Sequence, residues 1–228
     1  MHDVNILRML ISQLWWLLLI LLGLSLLRVF LPDLSLLRVF LPDLKGKIGE
    51  WAVQRQAKQH LDERYILLND LTLPDQDGGT TQIDHVLLSP FSIFVIESKN
   101  YKGWIFGSAR QKMWTQKIYK KSYKFQNPLH QNYKHTQVLS HLLADLLEPE
   151  HLHSIVVFMP GCEFKTEMPK QVFQGTGWVN YVQEFQTEVI SAMRLKRLQL
   201  RLEKEVLDPS WQTRRAHVAQ LKSRHHQD

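Results

Sequence analysis

Two neighbouring runs of the sequence place charged side chains inside apolar segments. Asp84 lies in the run QIDHVLLS (82–89), and Glu97 and Lys99 lie in the run IFVIESK (93–99). Charged groups are costly to bury among such residues, which favours a chemical role. Two adjacent carboxylates suit a divalent cation, and a nearby lysine can stabilise charge on a water or a phosphate. The set predicts metal-assisted phosphodiester cleavage, with a surface Lys–carboxylate cluster as the alternative.

The predicted geometry of this set depends on the turn between the two runs. If Pro90 and Phe91 are the two turn residues of a hairpin, Asp84 lies opposite Glu97 on the same face of the sheet. A four-residue loop with the same centre gives the same register. A three- or five-residue loop would put the two carboxylates on opposite faces. Lys99 follows Glu97 by two positions, so it shares that face.

The elements that must position these residues follow an α/β order. Apolar spacing predicts helices, and β-branched runs bounded by turn residues predict strands. Asn127 and Pro128 are typical of the N-cap and first position of a helix. The predicted elements are a helix over 46–61, strands over 65–73, 81–89, 92–99, 104–107 and 113–118, a helix from Asn127, and a strand over 154–160. Beyond these we expect a strand or two within 171–179, a helix over 181–206, and a last helix from Asp208 toward His225.

Composition limits the class of protein. The chain has 228 residues, of which 44% are hydrophobic and 22% charged, and this excludes a disordered or fibrous protein. Its one cysteine, Cys162, excludes a disulfide scaffold and a cysteine-based zinc or iron–sulfur site within the chain, and it fits a reducing compartment. The net charge of +6 points to a polyanionic partner, either nucleic acid or an anionic membrane.

The N-terminal segment predicts a membrane anchor. Residues 9–27 carry no charge and are rich in leucine. A run of this length can span a bilayer as a helix, and we predict that helix over about 6–27. A buried core helix and a cleaved signal peptide are the alternatives. More cations follow the span than precede it, which predicts an inner or plasma membrane protein with its body in the cytoplasm. These cations are Arg28, Arg38, Lys45 and Lys47, against Arg8.

A duplicated decapeptide follows the predicted span. LSLLRVFLPD occupies residues 24–33 and again 34–43. We interpret it as a linker lengthened by duplication, with a second interfacial amphipathic segment as the alternative. Pro32 and Pro42 should break any continuous helix here. The predicted domains are an anchor and linker over 1–44, a catalytic domain over 45–160, and a mainly helical extension over 161–228.

Four separated blocks of the chain resemble the NERD domain, a nuclease-related domain grouped with the PD-(D/E)XK nucleases. The blocks are GKIGEW (46–51), QIDHVLLS (82–89), IFVIESKNYKGWIFG (93–107) and QNPLHQNYKH (126–135). The resemblance covers about half of the chain. It implies a restriction-endonuclease-like α/β core of order α-β-β-β-α-β, with a mixed sheet flanked by helices. To this core the sequence adds the N-terminal transmembrane helix and the helical C-terminal extension.

The same resemblance implies roles for individual residues. Asp84 and Glu97 resemble the metal-binding carboxylates, Lys99 the lysine of the Glu-x-Lys element, and Glu50 an accessory metal ligand. The implied cofactor is Mg²⁺ or Mn²⁺. The expected accessory residues are Gln82, which shares the face of Asp84, and Gln131 and His135, which recur at helical spacing after Asn127. Capping is the expected role of Asn127, and packing that of His85.

A basic, aromatic stretch supports a nucleic-acid partner. Residues 98–144 contain no Asp or Glu, and aromatic residues are interleaved with the cations. Cations that meet phosphates and rings that stack on bases are the two ingredients of nucleic-acid binding. Anionic lipid is the alternative partner. The predicted contact residues are Lys102, Arg110, Lys112, Lys117, Lys120, Lys121 and Lys124.

The sequence therefore predicts a membrane-anchored, metal-dependent nuclease that acts on nucleic acid, with DNA favoured over RNA. Asp84 and Glu97 would be the ligands, Lys99 would polarise the water or the scissile phosphate, and Glu50 would assist. Two alternatives stay open. One is a catalytically weak module that binds nucleic acid and tethers DNA to the membrane. The other is a structural membrane protein with a decayed nuclease fold.

Overall fold

The structure is a computed structural model that describes residues 15–23, residue 25 and residues 34–207. Its contacts divide the chain into two units, Met1–Leu44 and Lys45–Asp228. In the first unit, residues 15–23 are helical and their side chains are exposed. The predicted helix after Asp208 lies outside the described residues.

The predicted transmembrane anchor is corrected by the structure. Within residues 15–23, 25 and 34–207, no helix combines the length and apolar character needed to cross a bilayer. The rest of the predicted span lies outside the described residues. This finding contradicts single-pass membrane localisation.

The first long helix also corrects a prediction. Helix α1 (Leu34–His60) begins at the second copy of the decapeptide and continues through Pro42, where we expected a break. A proline removes one backbone hydrogen bond and crowds the preceding turn. The residues before it, such as Leu36, Leu37 and Leu41, favour the helix and offset that local cost. The predicted break at Pro32 lies outside the described residues.

The larger of two sheets is mixed and carries the central hairpin. Its strand order is β1-β2-β3-β7-β9. Strands β1, β2 and β3 are antiparallel neighbours, whereas β7 is parallel to β3 and to β9. The strands are β1 (Ile66–Pro74), β2 (Thr80–Leu88), β3 (Ile93–Lys99), β7 (Leu152–Phe158) and β9 (Val172–Gln174).

The second sheet follows directly from the end of β3. Its order is β6-β5-β4-β8, with β8 parallel to β4 and the others antiparallel. The strands are β4 (Gly103–Phe106), β5 (Met113–Ile118), β6 (Lys121–Gln126) and β8 (Cys162–Phe164). The sequence did not predict β6 and β8, because four of the six residues of β6 are polar and β8 has three residues.

Helices cover both faces of the larger sheet. They are α1, α2 (Pro128–Leu142), α3 (Gly177–Gln183) and α4 (Ala192–Glu205), with a 3-10 turn at Pro149–His151. Leu139 of α2 and Leu198 of α4 pack on one face with Val95, while Val53 of α1 and Trp178 of α3 pack on the other. This arrangement confirms an α/β fold in which helices flank mixed sheets. The single helix expected over 181–206 is wrong, because the chain between α3 and α4 is not helical.

Candidate functional site

The hairpin of β2 and β3 has the predicted register. His85 pairs with Ile96 at the end of the ladder, and Asp84 and Glu97 are the next residue of each strand. The turn is fixed by Ser89, whose hydroxyl donates to a backbone carbonyl three residues on at 2.7 Å and is itself fully buried. A buried turn that satisfies its own polar groups resists slipping. The two carboxylates are therefore brought together by the backbone of the sheet.

The side chain of Glu97 is buried and paired. It is only 2% exposed, and Lys99 Nζ donates to its Oε1 at 2.5 Å. The same Nζ donates to Gln131 Oε1 at 3.0 Å. Lys99 is thus held between β3 and α2, and its ammonium group has a fixed position.

Burial and charge shift the pKa of both partners. The pKa of Glu97 is raised to about 7, mainly by burial and in part by the carboxylates of Asp84 and Glu50, although Lys99 lowers it. Burial lowers the pKa of Lys99, but the charge and hydrogen bond of Glu97 outweigh that effect, so its pKa is raised overall. At neutral pH the lysine is therefore charged, and Glu97 lies near its titration point.

Helix α2 begins as predicted and is tied to the sheet. Asn127 is the N-cap, because its Oδ1 accepts from the backbone N–H of Leu129 at 2.9 Å. Asn132 is fully buried, and its Nδ2 donates to the backbone carbonyls of Val95 and Ile155, each at 2.9 Å. These bonds fix the rotation of α2 about its axis relative to β3 and β7.

In this orientation one face of α2 lies against the Glu97–Lys99 pair. Gln131 contacts Lys99, as described above, and His135 Nδ1 lies 3.5 Å from Glu97 Oε2. His135 is itself buried. This Oε2 is buried and accepts no hydrogen bond from any residue the structure describes. The structure therefore brings both predicted accessory residues of α2 to the site.

The Asp84 carboxylate is oriented by the residue after Glu97. Its Oδ2 accepts from the backbone N–H of Ser98 at 2.8 Å and from the Ser98 hydroxyl at 2.9 Å. Two donors on one oxygen fix the carboxyl plane and leave Oδ1 for another ligand. Sequence analysis missed Ser98, although its position between Glu97 and Lys99 was a usable signal.

Helix α1 approaches the same end of β3 through a glycine. A Cβ placed on Gly49 would lie 3.3 Å from the Asn100 Cβ and 3.6 Å from the Ser98 hydroxyl, so the helix comes close to the strand here. Glu50 follows Gly49 and is partly buried, and its charge acts on Glu97. The structure therefore places Glu50 in the electrostatic surroundings of the pair.

The remaining predicted residues of the hairpin have other partners. Gln82 is exposed, and its Nε2 donates to Asp70 Oδ1 at 2.6 Å, so it contacts β1 rather than the Glu97–Lys99 pair. His85 is fully buried, with Nδ1 2.8 Å from Asn69 Oδ1. Burial lowers the pKa of His85 to about 4, although Asp84 and Asp70 raise it in part. His85 is therefore a neutral packing residue, as expected.

The residues that could hold a metal ion form a small set. In residues 15–23, 25 and 34–207, no three or more His, Cys, Asp or Glu side chains are grouped so that they could bind one. Mg²⁺ is commonly held by one or two carboxylates, with waters and substrate phosphates as the other ligands. Asp84 and Glu97 fit that minimal set, because the Oε2 atom of Glu97 is buried and accepts no hydrogen bond within the described part of the chain.

The geometry agrees with a comparison of the sequence with known families. A profile of the nuclease-related domain, NERD, matches residues 45–159, which is half of the chain. The chain belongs to the NERD family. The matched range contains Glu50, Asp84, Glu97, Lys99 and the described face of α2.

One curated relative is similar to this NERD protein. It is a protein of Bacillus anthracis described as uncharacterised, 38% identical over 142 residues. The aligned part covers 62% of this chain and 66% of the relative, slightly less than two thirds of its length. No solved structure matches the chain significantly.

The predicted basic residues of the NERD domain lie mainly on and around the second sheet. Most are exposed, and Lys117 is partly buried beside Trp104. Lys124 Nζ donates to Thr115 Oγ1 at 2.8 Å. The exposed members are Lys102, Arg110, Lys112, Lys120, Lys121 and Lys124. They are separate from the Glu97–Lys99 pair, which is built into the larger sheet.

Sequence analysis missed Asn132 as a positioning residue of the site. It lies next to Gln131 in the motif QNPLHQNYKH, but the sequence cannot show which side of α2 faces the sheet. A polar amide among the apolar positions of a helix was the available signal. Its three donor contacts, to Val95, Ser154 and Ile155, could be found only from the packed structure.

Proposed function

We propose that this NERD protein is a divalent-metal-dependent nuclease that hydrolyses phosphodiester bonds, with DNA as the favoured substrate. The observation that carries the proposal is the buried Glu97, paired with Lys99 and placed beside Asp84. A buried ionisable pair is costly to maintain for stability alone, since apolar residues of similar size serve as well or better. The resemblance to restriction-endonuclease-like nucleases favours DNA over RNA.

The proposed cofactor is Mg²⁺ or Mn²⁺. Asp84 and Glu97 would hold it, with Glu50 as accessory ligand, and it would supply an activated water and neutralise phosphate charge. The support on this chain is the free Oε2 of Glu97 and the fixed Asp84 carboxylate. The charges of Asp84 and Glu50 raise the pKa of Glu97, and a bound cation would lower it again.

Lys99 is proposed to act on the substrate. An ammonium group has three donors, and Glu97 and Gln131 use two of them. The third donor can meet a non-bridging oxygen of the scissile phosphate or the attacking water. Because Lys99 is already held in place, little reorganisation is needed when negative charge develops on the phosphate.

His135 and Gln131 are proposed as positioning residues. Gln131 holds the Lys99 ammonium group, and His135 lies 3.5 Å from the second oxygen of Glu97. A protonated imidazole there would stabilise the Glu97 carboxylate. In this proposal the two side chains of α2 orient Lys99 and Glu97 without touching the substrate.

The first experiment measures cleavage by the full chain. Circular DNA, linear DNA and RNA are incubated with Mg²⁺, Mn²⁺ or EDTA, beside Asp84→Ala and Lys99→Ala. Removing one such group costs about 10²- to 10³-fold in rate. Asp145→Ala is the matched control, because Asp145 is an exposed carboxylate paired with Arg201. Metal-dependent cleavage lost in both site variants and kept in the control supports the proposal.

The outcome that contradicts the assignment is equally direct. Cleavage by Asp84→Ala at the wild-type rate would show that the reaction occurs elsewhere or belongs to a contaminant. Metal-independent cleavage would remove the role proposed for the cation.

A nucleic-acid-binding module without cleavage is the second candidate. One observation favours it, the exposed cations of the second sheet. It predicts salt-sensitive binding that Asp84→Ala leaves intact or improves, because a charge that repels phosphate is removed. Binding without cleavage under every metal condition would favour this candidate.

A further inference from the structure

The second sheet has one face that packs inward and one that faces solvent. Side chains alternate between faces, so buried Ile105 marks the inward side of β4 and Trp104 the outward side. The register places Trp104 beside Lys117 on β5, and Thr115 beside Lys124 on β6. Together with Lys165, which follows β8, these residues form what we call the outer face of the second sheet.

Trp104 is the centre of this outer face. Its side chain is 44% exposed, although tryptophan is among the residues that gain most from burial. Two ammonium groups lie near the ring, Lys165 Nζ at 4.8 Å and Lys117 Nζ at 5.7 Å from its centroid. Lys165 also forms an ion pair with Glu163, the carboxylate on this face. The ring is therefore accessible and surrounded by more cations than anions.

A second exposed ring lies at the tip of the hairpin that joins β5 to β6. Tyr119 is 95% exposed and has a positive φ of 51°. A bulky residue is uncommon in this left-handed region, where glycine or asparagine fits better. Lys120 and Lys121 follow it directly and are exposed. The ring is therefore open to a ligand, with two cations next to it in the chain.

We propose that the outer face of the second sheet binds a single-stranded nucleic acid, with a base stacked on Trp104 and phosphates along Lys117, Lys124 and Lys165. Tyr119 provides a second stacking position. Stacking on a protein ring requires a base whose face is free, and in a duplex both faces are covered by neighbouring bases. Deoxyribose and ribose strands share this chemistry.

The outer face lies close to the candidate catalytic residues along the chain. Trp104 follows Lys99 by five positions, so the two Cα atoms are at most about 17 Å apart. A strand held on this face would therefore pass within a few nucleotides of Glu97 and Lys99. In this respect the inference rests on the proposed function, since it names the substrate class of the same site.

The test measures binding by the full chain in EDTA, so that cleavage cannot occur. Fluorescence anisotropy is recorded with labelled single-stranded DNA, single-stranded RNA, duplex DNA and an abasic strand of equal length. Trp104→Leu should weaken binding of both single strands by about 5- to 100-fold, as expected for the loss of one stacked base. It should leave the abasic strand unchanged, because that strand offers phosphates and no base.

Trp51→Leu is the matched control. Trp51 lies on α1, is 58% exposed, and has the Arg55 guanidinium 5.4 Å from its ring centroid. It thus has the same residue type, similar exposure and a nearby cation, but it is not on the second sheet. We expect its affinities to stay within about twofold of wild type. Circular dichroism of both variants checks that the fold is kept.

A charge variant tests the phosphate contacts separately. Lys117→Gln should lower the dependence of log affinity on log salt for single strands by about 0.7, whereas Trp104→Leu should leave this slope unchanged. This pair of readouts separates a ring contact from a general electrostatic effect.

Several outcomes would overturn the inference. It fails if Trp104→Leu binds single strands as tightly as wild type, or if Trp51→Leu weakens binding as much as Trp104→Leu does. It also fails if duplex DNA binds as tightly as single strands, or if the chain binds anionic vesicles and no oligonucleotide. The proposed function fails on a different result, because it requires metal-dependent cleavage that Asp84→Ala abolishes. Ring-dependent binding without cleavage keeps this inference and rejects the nuclease.

Discussion

The two sheets of the protein use charged residues in opposite ways. In the larger sheet, Glu97 and Lys99 are withdrawn from solvent and held by named partners on β2, β3 and α2. In the second sheet, lysines such as Lys120 and Lys121 project into solvent. A charge that is desolvated and fixed interacts strongly with its neighbours, whereas a solvated one is screened.

This contrast matches the two roles proposed above, catalysis at the larger sheet and nucleic-acid binding at the second sheet. Fixed charges are useful where a reaction develops charge at one atom, since the surroundings need not reorganise. Mobile, solvated cations suit a polyanion that binds in many registers. We therefore expect substitutions in the larger sheet to affect folding and turnover, and substitutions in the second sheet to affect binding alone.

The largest expected effect concerns the partner of Glu97. Lys99→Met leaves a buried carboxylate without its cation and should destabilise the fold by about 3 kcal/mol or more. Lys124→Met on the second sheet is the matched change and should cost about 0.5 kcal/mol or less. Urea denaturation measures both. Replacing Glu97 as well, in Lys99→Met/Glu97→Gln, should recover most of the loss, and equal costs for the two lysines would break the comparison.

The next effect is the pH dependence of stability through His85. Its pKa falls from the ordinary 6.5 to about 4 in the folded protein because it is buried. A depressed histidine pKa means that the unfolded state binds the proton first, so this stability is present above about pH 6.5 and is lost as the pH falls toward 4. The loss is about 3 kcal/mol over that window.

Chemical denaturation between pH 7 and pH 4 checks this effect. Protonation of Glu97, whose pKa is raised to about 7, stabilises the fold over the same window and opposes the effect of His85, so His85→Gln should gain stability relative to wild type as the pH falls from 7 to 4. An unchanged slope in that variant would mean that His85 is not the group responsible.

Replacing Asn132 should have a smaller effect on stability and also tests how α2 is held against the larger sheet. Asn132→Leu leaves the Val95 and Ile155 carbonyls without this donor and should cost about 2 kcal/mol. It should also lower the cleavage rate, because α2 no longer holds Gln131 and His135 in place. Gln116→Leu is the matched control, since Gln116 makes one exposed bond to the Lys102 carbonyl. Equal thermal stability of the two variants would contradict the positioning role.

The smallest effect is expected on the second sheet. Lys124→Gln removes one exposed cation and its bond to Thr115, so stability should change by no more than about 0.5 kcal/mol. The slope of log affinity against log salt should fall by about 0.7 for a single strand. Titrations at several salt concentrations measure it. A stability loss as large as that of Asn132→Leu would show that Lys124 has a structural role.

Much of the fold followed from local patterns in the sequence. The β2–β3 hairpin was predictable with its register, because strong β-formers flank a short turn and side chains alternate with a period of two. The start of α2 was predictable because Asn127 and Pro128 form a common cap. Strand β6 was missed because it is short and mostly polar, although Tyr123 and Phe125 alternate with Ser122 and Lys124.

Two predictions at the N-terminus were wrong. The apolar run predicted a membrane anchor, but no helix of the described residues combines the length and apolar character needed to cross a bilayer. Likewise Pro42 predicted a break, and the helix-forming residues around it outweighed that local preference. Both errors came from giving one local signal more weight than its surroundings.

The sequence by itself determined which residue types were available and which of them share a face of the sheet. It predicted Asp84 opposite Glu97, with Lys99 on the same face. The tertiary structure alone decided that Gln131 and His135 reach that pair, that Ser98 orients Asp84, and that Gln82 contacts Asp70 instead. Local backbone periodicity fixes the faces of a strand. The rotation of a helix against a sheet depends on long-range contacts such as those of Asn132, which no short stretch of sequence encodes.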